Sequence, residues 1–116
     1  MKALLYTGPK TIEYADVPKP EIRDDEVLMK IKSVGICGTD LHIYGGNMHL
    51  PTPLIMGHEF SGIIESVGKT VQHLNVGARV VGEHVVPCRK CHYCLIGKPN
   101  LCLNAKIIGL DRPGAL

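Results

Sequence analysis

Two groups of residues in this 116-residue sequence have the types and spacing to bind metal. The denser one is "CRKCHYCLIGKPNLC", in which Cys88, Cys91, Cys94 and Cys102 bring four of the five cysteines into fifteen residues. Tetrahedral zinc takes four thiolate donors at about 2.3 Å, and tight turns of two intervening residues bring such donors round one ion. Paired as disulfides, the same cysteines would need an oxidising compartment that nothing else in the sequence supports. A thioredoxin-like redox motif needs one C-x-x-C in a βα context, not three thiols in series. Arg89, Lys90, Lys98 and Lys106 flank the lobe and offset the negative charge that four thiolates leave on one zinc ion. Four thiolates also close the coordination sphere to water and substrate, so the zinc expected here is structural.

The second group is sparser and chemically more open. Cys37 stands alone in "GICGTDLH", and His58-Glu59 lies in "MGHEFSG". A thiolate and an imidazole from separate loops form a zinc-type pair with room for a further ligand. Each residue also has a plain reading, as a packed cysteine and a turn histidine. Adjacent strand residues face opposite ways, so His58 and Glu59 share one ion only if Gly57 or Gly62 permits a turn; otherwise Glu59 stands behind the ligands.

These residues must be positioned by short strands. Thirteen glycines, eight prolines, a single Phe and no Trp predict an aliphatic core in a mainly β chain with frequent turns. "MKALLYT", "TIEYADV" and "EVLMKIKSVGI" read as strands, the last with Val27, Met29 and Ile31 on one face and delivering the chain to Cys37. "TDLHIYGG" reads as a short helix with Thr39 or Asp40 near its N-cap and Gly45 or Gly46 ending it. "NMHLPTPLIMG" reads as loop, and "EFSGIIESVG" and "ARVVGEHVV" as strands. The cysteine lobe spans 87–107, and "AKIIGLDRPGAL" reads as one more strand and a turn. The glycines Gly57, Gly62, Gly68 and Gly77 read as turns and close backbone approaches, not a phosphate cradle. The architecture expected is a barrel or sandwich of short strands with a few short helices.

A formal charge of +2 and one Phe argue against nucleic-acid binding through basic faces and stacking aromatics. No apolar run is long enough to span a bilayer, and the start lacks a signal-peptide core. A cytoplasmic location, where thiols stay reduced, is the expectation.

The segment "GHEFSGIIESVGKTV" resembles the zinc signature of medium-chain alcohol dehydrogenases. "CGTDLH" resembles that family's first catalytic-zinc loop, and the lobe matches its structural-zinc loop in all four cysteines. "CGTDLHIY", "GHE" and "NAKIIGLD" look closest to the threonine, polyol and butanediol dehydrogenase branch. The resemblance implies an N-terminal GroES-like catalytic domain over residues 1–116, with a catalytic zinc at Cys37 and His58 and a structural zinc at Cys88, Cys91, Cys94 and Cys102. It makes Glu59 a ligand or a nearby exchangeable carboxylate. Thr39 would hold the substrate hydroxyl and pass its proton towards solvent, with His42 further along the relay, and Asp40 would orient the loop. The implied activity is NAD(P)-dependent oxidation of a small-molecule secondary alcohol by an enzyme that assembles as a homodimer or homotetramer. The family's α/β Rossmann domain, with its G-x-G-x-x-G loop, has no match here, so these residues alone are expected to bind zinc without turnover. The competing reading is a stand-alone zinc-binding interaction module with a GroES-like fold, which leaves Cys37, Thr39, His42 and His58 without a reason to occur together. His49, His73 and His92 read as loop or surface residues, and His84, in "GEHVVPC", as a possible border of the substrate pocket.

Overall fold

The computed structural model describes residues 1–116. The chain runs β1 (Lys2–Gly8), β2 (Thr11–Asp16), β3 (Val27–Gly35), α1 (Gly38–Tyr44), β4 (Leu54–Ile55), β5 (Glu59–Val67), β6 (Arg79–Gly82), β7 (Val85–Val86), α2 (His92–Leu95), a 3-10 turn (Pro99–Leu101) and β8 (Lys106–Ile107). They form three antiparallel sheets, ordered β2-β1-β4, β3-β5-β6 and β7-β8. The mainly β expectation holds, and the longest helix has seven residues.

β3 is the half-buried strand expected, with Val27, Met29 and Ile31 half-buried and Lys30 and Lys32 exposed, although register shifts between Leu28 and Met29 and between Ile31 and Ser33 interrupt its pairing with β5. Three local readings are corrected. "NMHLPTPLIMG" contains β4, because Leu54 and Ile55 pair with Tyr6 and Leu5 once the prolines are passed. "ARVVGEHVV" is two strands, since β6 pairs with β5 while β7 turns away to pair with β8, and Glu83-His84 forms the break. The N-cap of α1 is Cys37 itself, and Asp40 sits one turn in, its carboxylate accepting from the Cys37 N–H at 2.9 Å. That is one half of a capping box, and it fixes the start of the helix.

The main core is a cluster of Tyr6, Ile43, Leu54 and Met56, with Leu50, Leu110 and Leu116 packed against it. It joins β1, α1 and β4, and the Tyr6 hydroxyl donates to the Ile43 carbonyl at 3.0 Å. Burying such side chains contributes about 1.5–3 kcal/mol each. Only 12 of 116 residues are buried, however, so apolar burial leaves much of this chain weakly held. The cysteine lobe is the extreme case: neither α2 nor the 3-10 turn buries a residue, and Leu95 and Leu103 are 74% and 71% exposed.

A small charged network ties the two ends of the sequence together. Glu26 accepts from the Arg23 guanidinium at 2.9 Å and from Arg112 at 3.1 Å. The Arg23 backbone N–H and guanidinium, together with Arg112, hold the Glu26 carboxyl below its ordinary value of 4.5. A carboxyl lowered on folding adds stability above its unfolded pKa and loses it as pH falls through the folded value. Glu26→Gln should therefore destabilise the domain by about 1 kcal/mol at pH 7 and converge with wild type near pH ~2. Urea unfolding at the two pH values reads this directly. An equal difference at both would show that Glu26 acts through packing and not charge.

Candidate metal centres

The two groups singled out by spacing are the two places where the fold gathers metal-type donors. In the lobe, the sulfurs of Cys88, Cys91, Cys94 and Cys102 all lie within 4.8 Å of one another. Cys91 Sγ is 3.6 Å from Cys94 Sγ and 3.9 Å from Cys102 Sγ. A disulfide needs about 2.05 Å, whereas a tetrahedron with ~2.3 Å arms has edges of about 3.8 Å. The spacing is that of donors round an ion, and all five cysteines are free.

Backbone N–H groups are aimed at these sulfurs. Cys102 Sγ accepts from Cys88 N at 3.2 Å and from Asn104 N at 3.4 Å. The N–H groups of Cys94 and Leu103 lower the Cys91 thiol to about 6. The Lys90 N–H lowers Cys88, while burial among the other sulfurs pushes Cys94 up to about 12. The thiols of Cys88 and Cys91 are thus biased towards thiolate by the backbone, and Cys88, Cys91, Cys94 and Cys102 would hold a zinc ion as thiolates, which makes binding there pH-dependent. The donor set fits a closed zinc site.

The second centre is assembled from three turns. β3 ends at Gly35 and leads to Cys37 at the N-cap of α1. Gly57, with φ +89, reverses the chain between Met56 and His58, just before β5 begins at Glu59. A Cβ at Gly57 would sit 2.7 Å from Leu116 Cγ, so both the conformation and the space call for glycine. Residues 114–116 hold this turn from behind, with Ala115 N donating to the Met56 and Gly57 carbonyls at 3.0 Å each. The result brings Cys37 Sγ, an imidazole nitrogen of His58 and a carboxylate oxygen of Glu59 within 4.8 Å of one another. His58 and Glu59 do face one point, because His58 belongs to the turn and only Glu59 to the strand.

Behind this set lies a buried pair. Asp40 is 2% exposed and His58 7%, and Asp40 Oδ1 faces His58 Nδ1 at 3.6 Å, neither atom having another partner. An imidazole whose Nδ1 is turned to a carboxylate presents Nε2 on the far side of the ring, the arrangement of a metal-ligating histidine oriented by an acid. Asp40 thereby touches both donors, through the Cys37 N–H and the His58 ring. The orphaned pair, the open side of the cluster and the soft thiolate fit a zinc ion with a position to spare. Asp40→Asn keeps an acceptor for the Cys37 N–H but loses the charge facing His58. It should weaken metal binding at this centre about tenfold or more, measured against a competing chelator. Unchanged affinity would mean that Asp40 serves only to cap α1.

Thr39 and His42 are placed differently. The Thr39 hydroxyl is 3.8 Å from Cys37 Sγ, at the edge of the donor set. His42 is exposed and follows Thr39 by three positions on α1, so the two share a helix face leading outward. His84, at the break between β6 and β7, stands with its ring centroid 5.5 Å from that of His58. His49, His73 and His92 are exposed and belong to neither donor set, although His92 directly follows Cys91 at the start of α2.

Residues 23–116 match the family model described as the alcohol dehydrogenase GroES-like domain. The chain belongs to this family. The domain is 44% identical over 119 residues to L-threonine 3-dehydrogenase of Bacillus subtilis strain 168, covering 98% of this chain and 34% of that protein. Galactitol-1-phosphate dehydrogenase from Escherichia coli superposes with a TM-score of 0.94 at 37% identity, across 99% of this chain and 34% of that one. An alcohol dehydrogenase from E. coli CFT073, solved with NADH, gives 0.91 at 39% identity, across 99% and 34%. The GroES-like domain described here therefore spans about a third of the length of the relatives it matches. No helix in it is long and apolar enough to cross a membrane.

Proposed function

We propose that this GroES-like domain is the zinc-binding catalytic part of an NAD(P)-dependent dehydrogenase that oxidises a secondary alcohol to a ketone. The observation that carries this reading is the meeting of Cys37, His58 and Glu59 in an open cluster, beside a four-thiol site that is closed. A zinc ion held in the open cluster supplies Lewis acidity that makes an alcohol hydroxyl easier to deprotonate. The chain's own residues do the rest of the positioning. Cys37 and His58 offer the donors, and Asp40 faces Nδ1 of the His58 ring, which turns Nε2 to the cluster. Glu59 is a third donor or a carboxylate that exchanges with substrate. The Thr39 hydroxyl accepts the alcohol proton at the edge of the cluster, and His42, further out on the same helix face, delivers it to solvent.

The carbinol hydride requires an acceptor, and the nicotinamide of NAD(P) supplies that chemistry. Cofactor binding is assigned to further chain, in keeping with the one-third coverage of the relatives. Threonine is the first substrate to try, given the B. subtilis relative, ahead of polyols and vicinal diols. Homo-oligomeric assembly and a reducing, cytoplasmic setting accompany the proposal, without nucleic acid or membrane as partners. Metal analysis of the purified domain tests it: both clusters filled, hence two zinc ions per chain, is the expected result. A single ion would instead favour an interaction module with a zinc staple.

A further inference from the structure

We infer that Gly35 is a positioning residue for the open metal centre: its missing side chain is the space through which Glu59 reaches Cys37 and His58. The inference rests on the reading of that cluster as a metal site. Gly35 and Glu59 are cross-strand partners, at the last residue of β3 and the first of β5. A Cβ built on Gly35 would stand 2.6 Å from Glu59 Oε2, 3.2 Å from its Cβ and 3.7 Å from its Cδ. All three of the nearest atoms belong to the Glu59 side chain, so the carboxylate lies folded back across the end of β3. From there an oxygen of Glu59 comes within 4.8 Å of the Cys37 and His58 donors.

Nothing else about position 35 calls for glycine. It is exposed, and it is absent from the residues with positive φ. Gly62 on β5 is a useful contrast, because a Cβ there would be driven to 2.3 Å from the Lys30 backbone carbonyl. Gly62 serves the packing of two strands. At Gly35 the severe clash is with the far end of a flexible side chain, while the 3.2 Å approach to Glu59 Cβ asks only a few tenths of an ångström of the strands, so an alanine chiefly moves the carboxylate. The effect falls on the donor set: Glu59 is turned off the cluster, leaving Cys37 and His58 as its only protein donors among these residues.

A double-mutant cycle isolates this coupling. Co2+ and Zn2+ affinity of the open centre would be measured by chelator competition in wild type, Gly35→Ala, Glu59→Ala and the double variant. Thermal melts and the lobe's metal content serve as controls. Gly35→Ala is expected to weaken the open centre about tenfold or more in the wild-type background and to do nothing further once Glu59 is alanine. The d–d bands of the cobalt form should change in Gly35→Ala as they do in Glu59→Ala. Wild-type affinity in Gly35→Ala would overturn the inference. So would an equal loss in both backgrounds, or a collapse of the melt in both, which would mean that Gly35 serves the fold. A wild-type domain that takes up metal only in the lobe would overturn the metal-site reading itself.

Discussion

Cys37→Ser is expected to remove one of the two zinc ions while leaving the domain folded. A serine hydroxyl does not ionise near neutral pH, so the open cluster loses its only sulfur donor and keeps an imidazole and an exposed carboxylate. The expected loss of affinity is on the order of a thousandfold, comparable to removing the anionic donor that decides for zinc over harder cations. Stability should change little. Cys37 is half-buried and caps α1 through its backbone, and the N–H accepted by Asp40 is unaffected by the side chain. Inductively coupled plasma mass spectrometry on wild type and variant, with a melt for each, gives both readings. Retention of both ions in Cys37→Ser would place the second metal elsewhere.

Cys91→Ser should do the reverse: it should destabilise the domain strongly and leave the open centre intact. Cys91 is the hub of the lobe, adjacent to both Cys94 and Cys102 and carrying the thiol already lowered to about 6. Apolar burial gives the lobe little support, because α2 and the 3-10 turn bury nothing and Leu95 and Leu103 face solvent, which leaves backbone hydrogen bonds and the short β7–β8 pairing beside the thiols. A ligand present a thousandfold above its Kd stabilises by about 4 kcal/mol, and that is the scale of the expected loss. Tm should fall by on the order of 10 °C or more. Limited proteolysis should cut within 88–102 in the variant and in chelator-treated wild type, but not in the zinc-loaded domain. Unchanged melting would mean that the lobe is not held by metal.

The contrast between the two centres also explains what could be read before any coordinates. The lobe is local: Cys88, Cys91, Cys94 and Cys102 are brought together by turns within the same fifteen residues, so spacing alone announces it. The open centre is not local, and only its donors could be suspected, because Cys37 and His58 are joined by the pairing of β3 with β5. The residues that make it work left no local pattern at all. The facing of Asp40 and His58 depends on where the Gly57 turn sets the ring. The approach of Glu59 depends on a cross-strand register that puts a glycine opposite it. His84 nears His58 because β6 and β7 join different sheets, a break that the matching pairs Val80-Val81 and Val85-Val86 conceal.

The same reasoning covers the misread strands. Clean alternation in "VLMKIKS" suggests one regular strand, but the register shifts in its pairing with β5, a strand of equal length, are decided by both partners together. The Phe60 ring lies over Gly82, where a Cβ would come within 2.3 Å of two ring carbons, so β5 and β6 are matched by shape rather than by propensity. Periodicity identified the elements; their partners decided where they bend and end.

In the function proposed, the closed lobe is a staple and the open cluster is where an alcohol meets metal. The most direct test is the visible spectrum of the Co2+-loaded domain titrated with a secondary alcohol such as threonine, and with imidazole as a stronger ligand. Added ligand is expected to shift the d–d bands in wild type and to have no effect in Cys37→Ser, where only the four-thiolate centre remains. A shift that persists in Cys37→Ser, or a wild-type spectrum blind to both ligands, would contradict it.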